Sequence, residues 1–172
     1  MNYFKTGKKL AAFFFFSILF ATIPLRLQAF AAGENDKGPA WVAPDFQLHD
    51  LKGSNVTLSQ FRGQKPVLLD FWATWCEICM AVRPKVIELR KAIAEADLEI
   101  LAIDVGSGDS LTKVKLFEAA NPAPYTVLYD SDSRVTRSYK VEGVPHFVLI
   151  DKSGVVKYQG ARLPTDPLSL LK

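Results

Sequence analysis

Cys76 and Cys79 are the two cysteines of this 172-residue chain, and they stand in the run Trp75-Cys76-Glu77-Ile78-Cys79. Residues three apart on a helix share a face, so the two sulfurs are close enough to bridge. The preceding residues 66–71 form an apolar run that reads as a buried strand. A helix opening just after that strand puts Cys76 at its N-terminus, where partial positive charge favours the thiolate and lowers the thiol pKa. Thiolate is the attacking species in disulfide exchange. A purely structural bridge explains the pair poorly, because joining neighbouring helical turns closes a tiny loop and constrains the unfolded chain little. Spacing and position together point to reversible thiol–disulfide chemistry.

The elements that must hold this pair follow from patterning. Phe46-Gln47-Leu48 and Val56-Thr57-Leu58 alternate across Asp50-Leu51-Lys52-Gly53 and read as a hairpin. The helix that carries the cysteines is expected over about 76–96, with Val82, Val86, Leu89 and Ile93 on one face and a kink or lost hydrogen bond at Pro84. Residues 98–105 read as a second buried strand. Residues 110–120 read as a helix with Ser110 as N-cap. A strand over 125–129, a short helix over 133–139, and strands over 147–150 and 155–158 across a turn at Asp151-Lys152-Ser153-Gly154 complete the pattern. Strands alternating with helices predict an α/β fold, a central mixed sheet covered on both faces. Asp70 stands out on its strand: Leu68, Leu69 and Phe71 around it should be buried, and burial should raise its carboxyl pKa.

The first 31 residues differ from the rest. Lys5, Lys8 and Lys9 precede an apolar stretch that includes Phe13 to Phe16, and Ala29-Phe30-Ala31 gives a small-x-small pattern. This reads as a secretory signal cut after Ala31, with an uncleaved anchor as the alternative. Residues 32–40 read as a flexible tether before a single domain over 41–172. The chain carries a net charge of +3, but the leader holds four basic residues and no acids, so the remainder sits at −1. A nearly neutral domain gives no electrostatic footprint for nucleic acid. Export places the cysteines in the periplasm or on the outer face of the cytoplasmic membrane, where disulfides persist.

The run 67–79 with its Trp72-Ala73-Thr74-Trp75-Cys76 phrase, the opening Ala43-Pro44-Asp45-Phe46, and the distal Val141-Glu142-Gly143-Val144-Pro145 together resemble the thioredoxin superfamily. Within it they resemble the exported TlpA/ResA-like branch, an AhpC/TSA-Redoxin-like domain. The resemblance implies a thioredoxin-like fold with an N-terminal β-hairpin extension, acting as a thiol–disulfide oxidoreductase without a cofactor. It implies that Cys76 is the nucleophile and Cys79 the resolving thiol, and that Asp70 accepts the proton of Cys79. It implies a cis bond before Pro145, with the Val144 backbone pairing with a substrate strand. Trp75, and Trp72 unless it belongs to the core, would shield the disulfide and offer an apolar docking surface. Glu77 and His146 would tune the potential, the latter as an imidazolium near the thiolate, whereas His49 reads as solvated surface. The implied partners are protein disulfides, with apocytochrome c as one client, and a membrane thiol–disulfide electron donor, for a monomeric protein.

One departure bears on that assignment. ResA-like proteins commonly carry a glutamate three residues after the second cysteine, where this chain has Val82. Two other readings compete. Cys76, Cys79 and His146 could form a soft Cu(I) site in a thioredoxin-like metallochaperone, although Pro145 tends to exclude metal. The Ala-Pro-Asp-Phe opening is shared with thiol peroxidases of the peroxiredoxin type, whose cysteine loop this chain lacks.

Overall fold

The structure, a computed structural model, describes residues 41–172. The expected signal segment and tether lie outside the described residues. Seven strands form one mixed sheet: β1 Gln47–Asp50, β2 Asn55–Thr57, β3 Val67–Trp72, β4 Glu99–Asp104, β5 Thr126–Tyr129, β6 His146–Ile150 and β7 Val156–Gly160. Among the described residues three α-helices accompany them: α1 Glu77–Ala92, α2 Leu111–Ala120 and α3 Arg134–Ser138. The strand order is β2-β1-β5-β4-β3-β6-β7. β3, β4 and β5 run parallel, while β6 is antiparallel to β3 and β7 to β6. The expected N-terminal hairpin forms as β1–β2 and joins the main sheet, because β1 pairs antiparallel with β5.

β3 lies inside the sheet between β4 and β6, and all six of its residues are buried. Alternation sends Val67, Leu69 and Phe71 to one face and Leu68, Asp70 and Trp72 to the other. The first set packs in a cluster with Tyr139. On the second side Leu68 packs with Val86 of α1 and with Ile100, Phe147 and Leu149 of the neighbouring strands. A strand buried on both faces reads as a continuous apolar run, which is why β3 and β4 were legible within a residue of their ends.

α1 starts where expected but ends at Ala92, four residues early. Ile93 is extended, with φ −117° and ψ 127°. The buried Arg90 guanidinium takes the carbonyls of Ile93 and Leu98, satisfying the chain as it turns into β4. The helix runs through Pro84, which lies on its exposed side. The missing N–H there leaves the Met80 carbonyl without its usual partner. Ser110 caps α2 as expected, its Oγ accepting from Lys113 N at 3.3 Å.

Tyr139, at the end of α3, is fully buried. Its ring centre lies 5.8 Å from that of Trp41, 6.3 Å from Phe46 and 5.6 Å from Phe71. Its hydroxyl donates to the Pro44 carbonyl at 2.7 Å. The phenol thus ties the segment leading into β1 to the central strand. Tyr139→Phe removes the donor to the half-buried Pro44 carbonyl and is expected to cost about 1 kcal/mol in denaturant unfolding, whereas Tyr139→Ala should cost about 3–5 kcal/mol through the cavity as well.

Candidate active site

The β3 strand delivers the cysteines. After Trp72 the chain turns, with the Cys76 N–H donating to the Ala73 carbonyl at 3.2 Å. Cys76 is the N-cap of α1, with extended backbone at φ −85° and ψ 99°. Its sulfur takes the place of the usual capping oxygen, accepting the Cys79 N–H at 3.1 Å. Cys76 and Cys79 are bonded, with S–S 2.08 Å and Cα atoms 5.2 Å apart. Each is 5 % exposed. A free helix-terminal N–H aimed at a sulfur stabilises negative charge on it, so the geometry favours Cys76 as the thiolate. Glu77 is exposed in the first turn.

Opposite the disulfide, the Val144–Pro145 bond is cis. The Val144 carbonyl oxygen lies 3.6 Å from Cys76 Sγ, and Pro145 is buried. A groove of about 390 Å³ runs beside this contact, bordered by Trp75, Ser107, Thr136, Arg137 and Val144. Trp75 and Ile78 flank the sulfurs and are exposed, at 52 % and 65 %.

The Trp75 ring is fixed by groups the sequence did not single out. Its Nε1 donates to the Ser107 carbonyl at 2.8 Å. It lies so close to Gly108 that a Cβ there would stand 2.8 Å from Nε1. Just before it, Thr74 donates from N and Oγ1 to the two carboxylate oxygens of Asp109, at 2.7 and 2.5 Å. Burial raises the Asp109 pKa, but the Lys113 and Thr74 hydrogen bonds outweigh it and hold the carboxyl below its usual range. Asp104, fully buried at the end of β4, behaves in the opposite way. Burial pushes it up to about 7 against the Gly106 N–H, and the neighbouring Asp109 adds to the rise. Among the described residues its buried Oδ2 has no hydrogen-bond partner. An acid at the end of an apolar run, like Asp70, was the available signal for Asp104; nothing local marked Asp109.

Asp70 is where the sequence put it, buried on the α1 face of β3. Burial pushes its carboxyl up to about 7, with the Arg83 guanidinium pulling the other way. Trp72 belongs to the core: it is 2 % exposed, its ring centre lies 5.3 Å from that of Phe117, and it therefore offers no docking surface. Arg83 was missed because a basic residue on a helix is expected to face solvent. Here it stands one turn beyond Cys79 on the buried side.

His146 opens β6, paired with Phe71. Partners in an antiparallel register share a face, so the ring sits on the side opposite Asp70. It is half-buried, its Nε2 has no partner, and burial lowers its pKa. An imidazolium supporting the thiolate was the expectation; at this place desolvation favours the neutral ring. His49 is exposed, on β1 rather than in a turn. Among the described residues, with Cys76 and Cys79 bonded to one another, no group of three or more His, Cys, Asp or Glu side chains could hold a metal ion.

Comparison with known proteins agrees with this geometry. Residues 40–159 match the AhpC/TSA family model. The thiol-disulfide oxidoreductase ResA of Geobacillus kaustophilus is 39 % identical over 115 residues, 67 % of this chain and 64 % of that protein. ResA of Bacillus subtilis is 34 % identical over 125 residues, 73 % of this chain and 68 % of that protein. Among solved structures, the thioredoxin domain of a thiol-disulfide oxidoreductase from Bacteroides vulgatus superposes with a TM-score of 0.64 at 27 % identity, covering 74 % of this chain and 90 % of that one. A Chlorobium tepidum protein, a candidate thiol:disulfide interchange protein DsbE, gives 0.68 at 30 % identity, covering 77 % and 97 %. The chain belongs to the AhpC/TSA family and has the thioredoxin-like fold.

Proposed function

We propose that this protein is an exported thiol–disulfide oxidoreductase that reduces disulfides in other proteins. The observation that carries the reading is the Cys76–Cys79 bond at the head of α1, with the Cys79 N–H on Cys76 Sγ. In the reduced form the Cys76 thiolate attacks a client disulfide, forming a mixed disulfide and releasing one client thiolate. Asp70 then takes the proton of the Cys79 thiol. The Cys79 thiolate attacks Cys76 Sγ, the Cys76–Cys79 bond forms, and the second client sulfur leaves reduced. Two electrons pass to the client, and a membrane thiol–disulfide donor returns them. The Val144 backbone pairs with the client strand in the groove beside Trp75. Relatives named ResA support this family of reactions, and apocytochrome c is one client of suitable chemistry. The protein works as a monomer outside the cytoplasm, with Glu77 setting the local field at the helix start.

The reductive direction is tested by equilibrating the pair against glutathione or dithiothreitol. A potential near about −270 mV is expected for a reductase, while one near about −120 mV would mean a disulfide donor. Cys79→Ser should trap the mixed disulfide with a client, and Cys76→Ser should abolish exchange; a Cys76→Ser protein that still reduces insulin disulfides would refute the assignment of nucleophile.

Asp70 also makes stability depend on pH. Its folded pKa of about 7 lies above the ordinary carboxylate value, so the folded state binds the proton more tightly. That contribution is complete below about pH 4 and is lost as pH rises through about 7. Asp70→Asn, a neutral isostere, is expected to stabilise the oxidised protein at pH 8 by up to about 4 kcal/mol and to change it little at pH 4. Urea unfolding at the two pH values checks this. The same variant should slow resolution of the mixed disulfide about 10²-fold.

A further inference from the structure

We propose that Arg83, clamped by Glu118, is a positioning residue that sets how firmly Asp70 holds its proton, and through it the step in which Cys79 is deprotonated. The inference rests on the role of Asp70 given above. Arg83 stands four residues after Cys79, directly beneath it on the buried face of α1. Its guanidinium carbon lies 5.2 Å from the Trp72 ring, 5.2 Å from Phe117 and 5.8 Å from Tyr125. Trp72 is two residues from Asp70 on the same face of β3, so the charge occupies the layer between that strand and the helices.

Three acceptors fix the guanidinium there. Nη2 donates to both carboxylate oxygens of Glu118 on α2, at 2.7 and 2.8 Å, and to the Asn121 carbonyl at 2.8 Å. The Arg83 and Glu118 side chains are 10 % and 11 % exposed. In so dry a place the charges are weakly screened. Arg83 of α1 acts on Asp70 electrostatically, and Asp70 acts on the Tyr125 phenol from the segment before β5. Glu118 of α2 enters through its pair with Arg83, Cys79 lies one turn before Arg83 on the buried side of α1, and Asp104 shares the face as the register partner of Trp72. From the adjacent strands the register partners are Ala102 and Phe147, which carry no charge. Burial drives the Tyr125 phenol far up, so it stays neutral, and its hydroxyl has no partner. The Arg83 guanidinium opposes the effect of burial on Asp70. Glu118 decides how much of that charge is left over. A merely structural pair would tie α1 to α2 and leave Asp70 indifferent to its loss.

The two roles separate by sign. Glu118→Gln removes the negative partner, strengthens the field of Arg83, and should lower the Asp70 pKa. Arg83→Met combined with Glu118→Gln removes both charges without stranding either, and should raise it by about one unit or more. The measurement is carboxyl ¹³C NMR titration of Asp70 in the oxidised full chain, alongside the pH profile of disulfide exchange with and without Asp70→Asn. Opposite shifts in the two variants support the proposal. An Asp70 titration that is the same in both variants as in the wild type overturns it. If the titration shifts as expected while the exchange profile stays fixed, the link from Arg83 to the deprotonation of Cys79 is overturned, and so is the reading of Asp70 as the proton acceptor.

Discussion

The hydrogen bond from the Cys79 N–H to Cys76 Sγ is the contact on which the rest of the site depends. It makes sulfur the cap of α1. A capping side chain must sit in extended backbone just outside the helix, and that requirement fixes where β3 can end. It also places the sulfur at the positive end of the helix, where a thiolate is stabilised. One local geometry thus starts the helix and favours negative charge on Cys76 Sγ. Everything else holds that geometry: β3 buried on both faces below it, the Val144 carbonyl against Cys76, and the Thr74–Asp109 pair that anchors the turn between strand and helix.

Charge in the interior is the recurring theme around this cap. Asp70, Asp104, Arg83 and Glu118 all lie near the disulfide layer with little access to water. Each would be expensive alone. Arg83 and Glu118 offset one another as a buried pair, and such pairs are rarely a net source of stability. Asp70 and Asp104 have no such partner and instead hold their protons up to about pH 7. Burial puts two carboxyls, Asp70 and Asp104, in the range where a proton is given and taken near neutral pH, and the β3–β4 register sets both on the face that α1 covers.

Much of the framework was legible in the sequence. The continuous apolar runs of β3 and β4 admit no reading but a doubly covered strand. The turn residues around Gly53 and Gly154 marked the two hairpins, and both glycines adopt the positive φ such turns favour. The end of α1 was not legible, because it is decided by Arg90 reaching the Ile93 and Leu98 carbonyls rather than by a local stop signal. Trp72 and Trp75 share a residue type and a motif, yet one is core and the other exposed. The difference lies in the alternation of β3, which sends Trp72 under α2, and in the turn that follows, which lifts Trp75 onto Ser107.

The sequence by itself determined the chemistry: two thiols one turn apart at the start of a helix, fed by a strand that carries a buried acid. Those facts are local, and local spacing suffices to state them. The tertiary structure alone decided the electrostatics. Arg83 meets Glu118 and the aromatic rings only because α1 and α2 pack on the same face of the sheet. Asp104 meets Asp109 only because the loop after β4 folds back on Thr74. Burial lowers the His146 pKa, and the strand register decides that burial by setting the ring on the face with Phe71. Interactions between residues 35 apart in the chain, such as Arg83 with Glu118, leave no periodic mark in a sequence, and in a medium that screens weakly they set which groups carry charge.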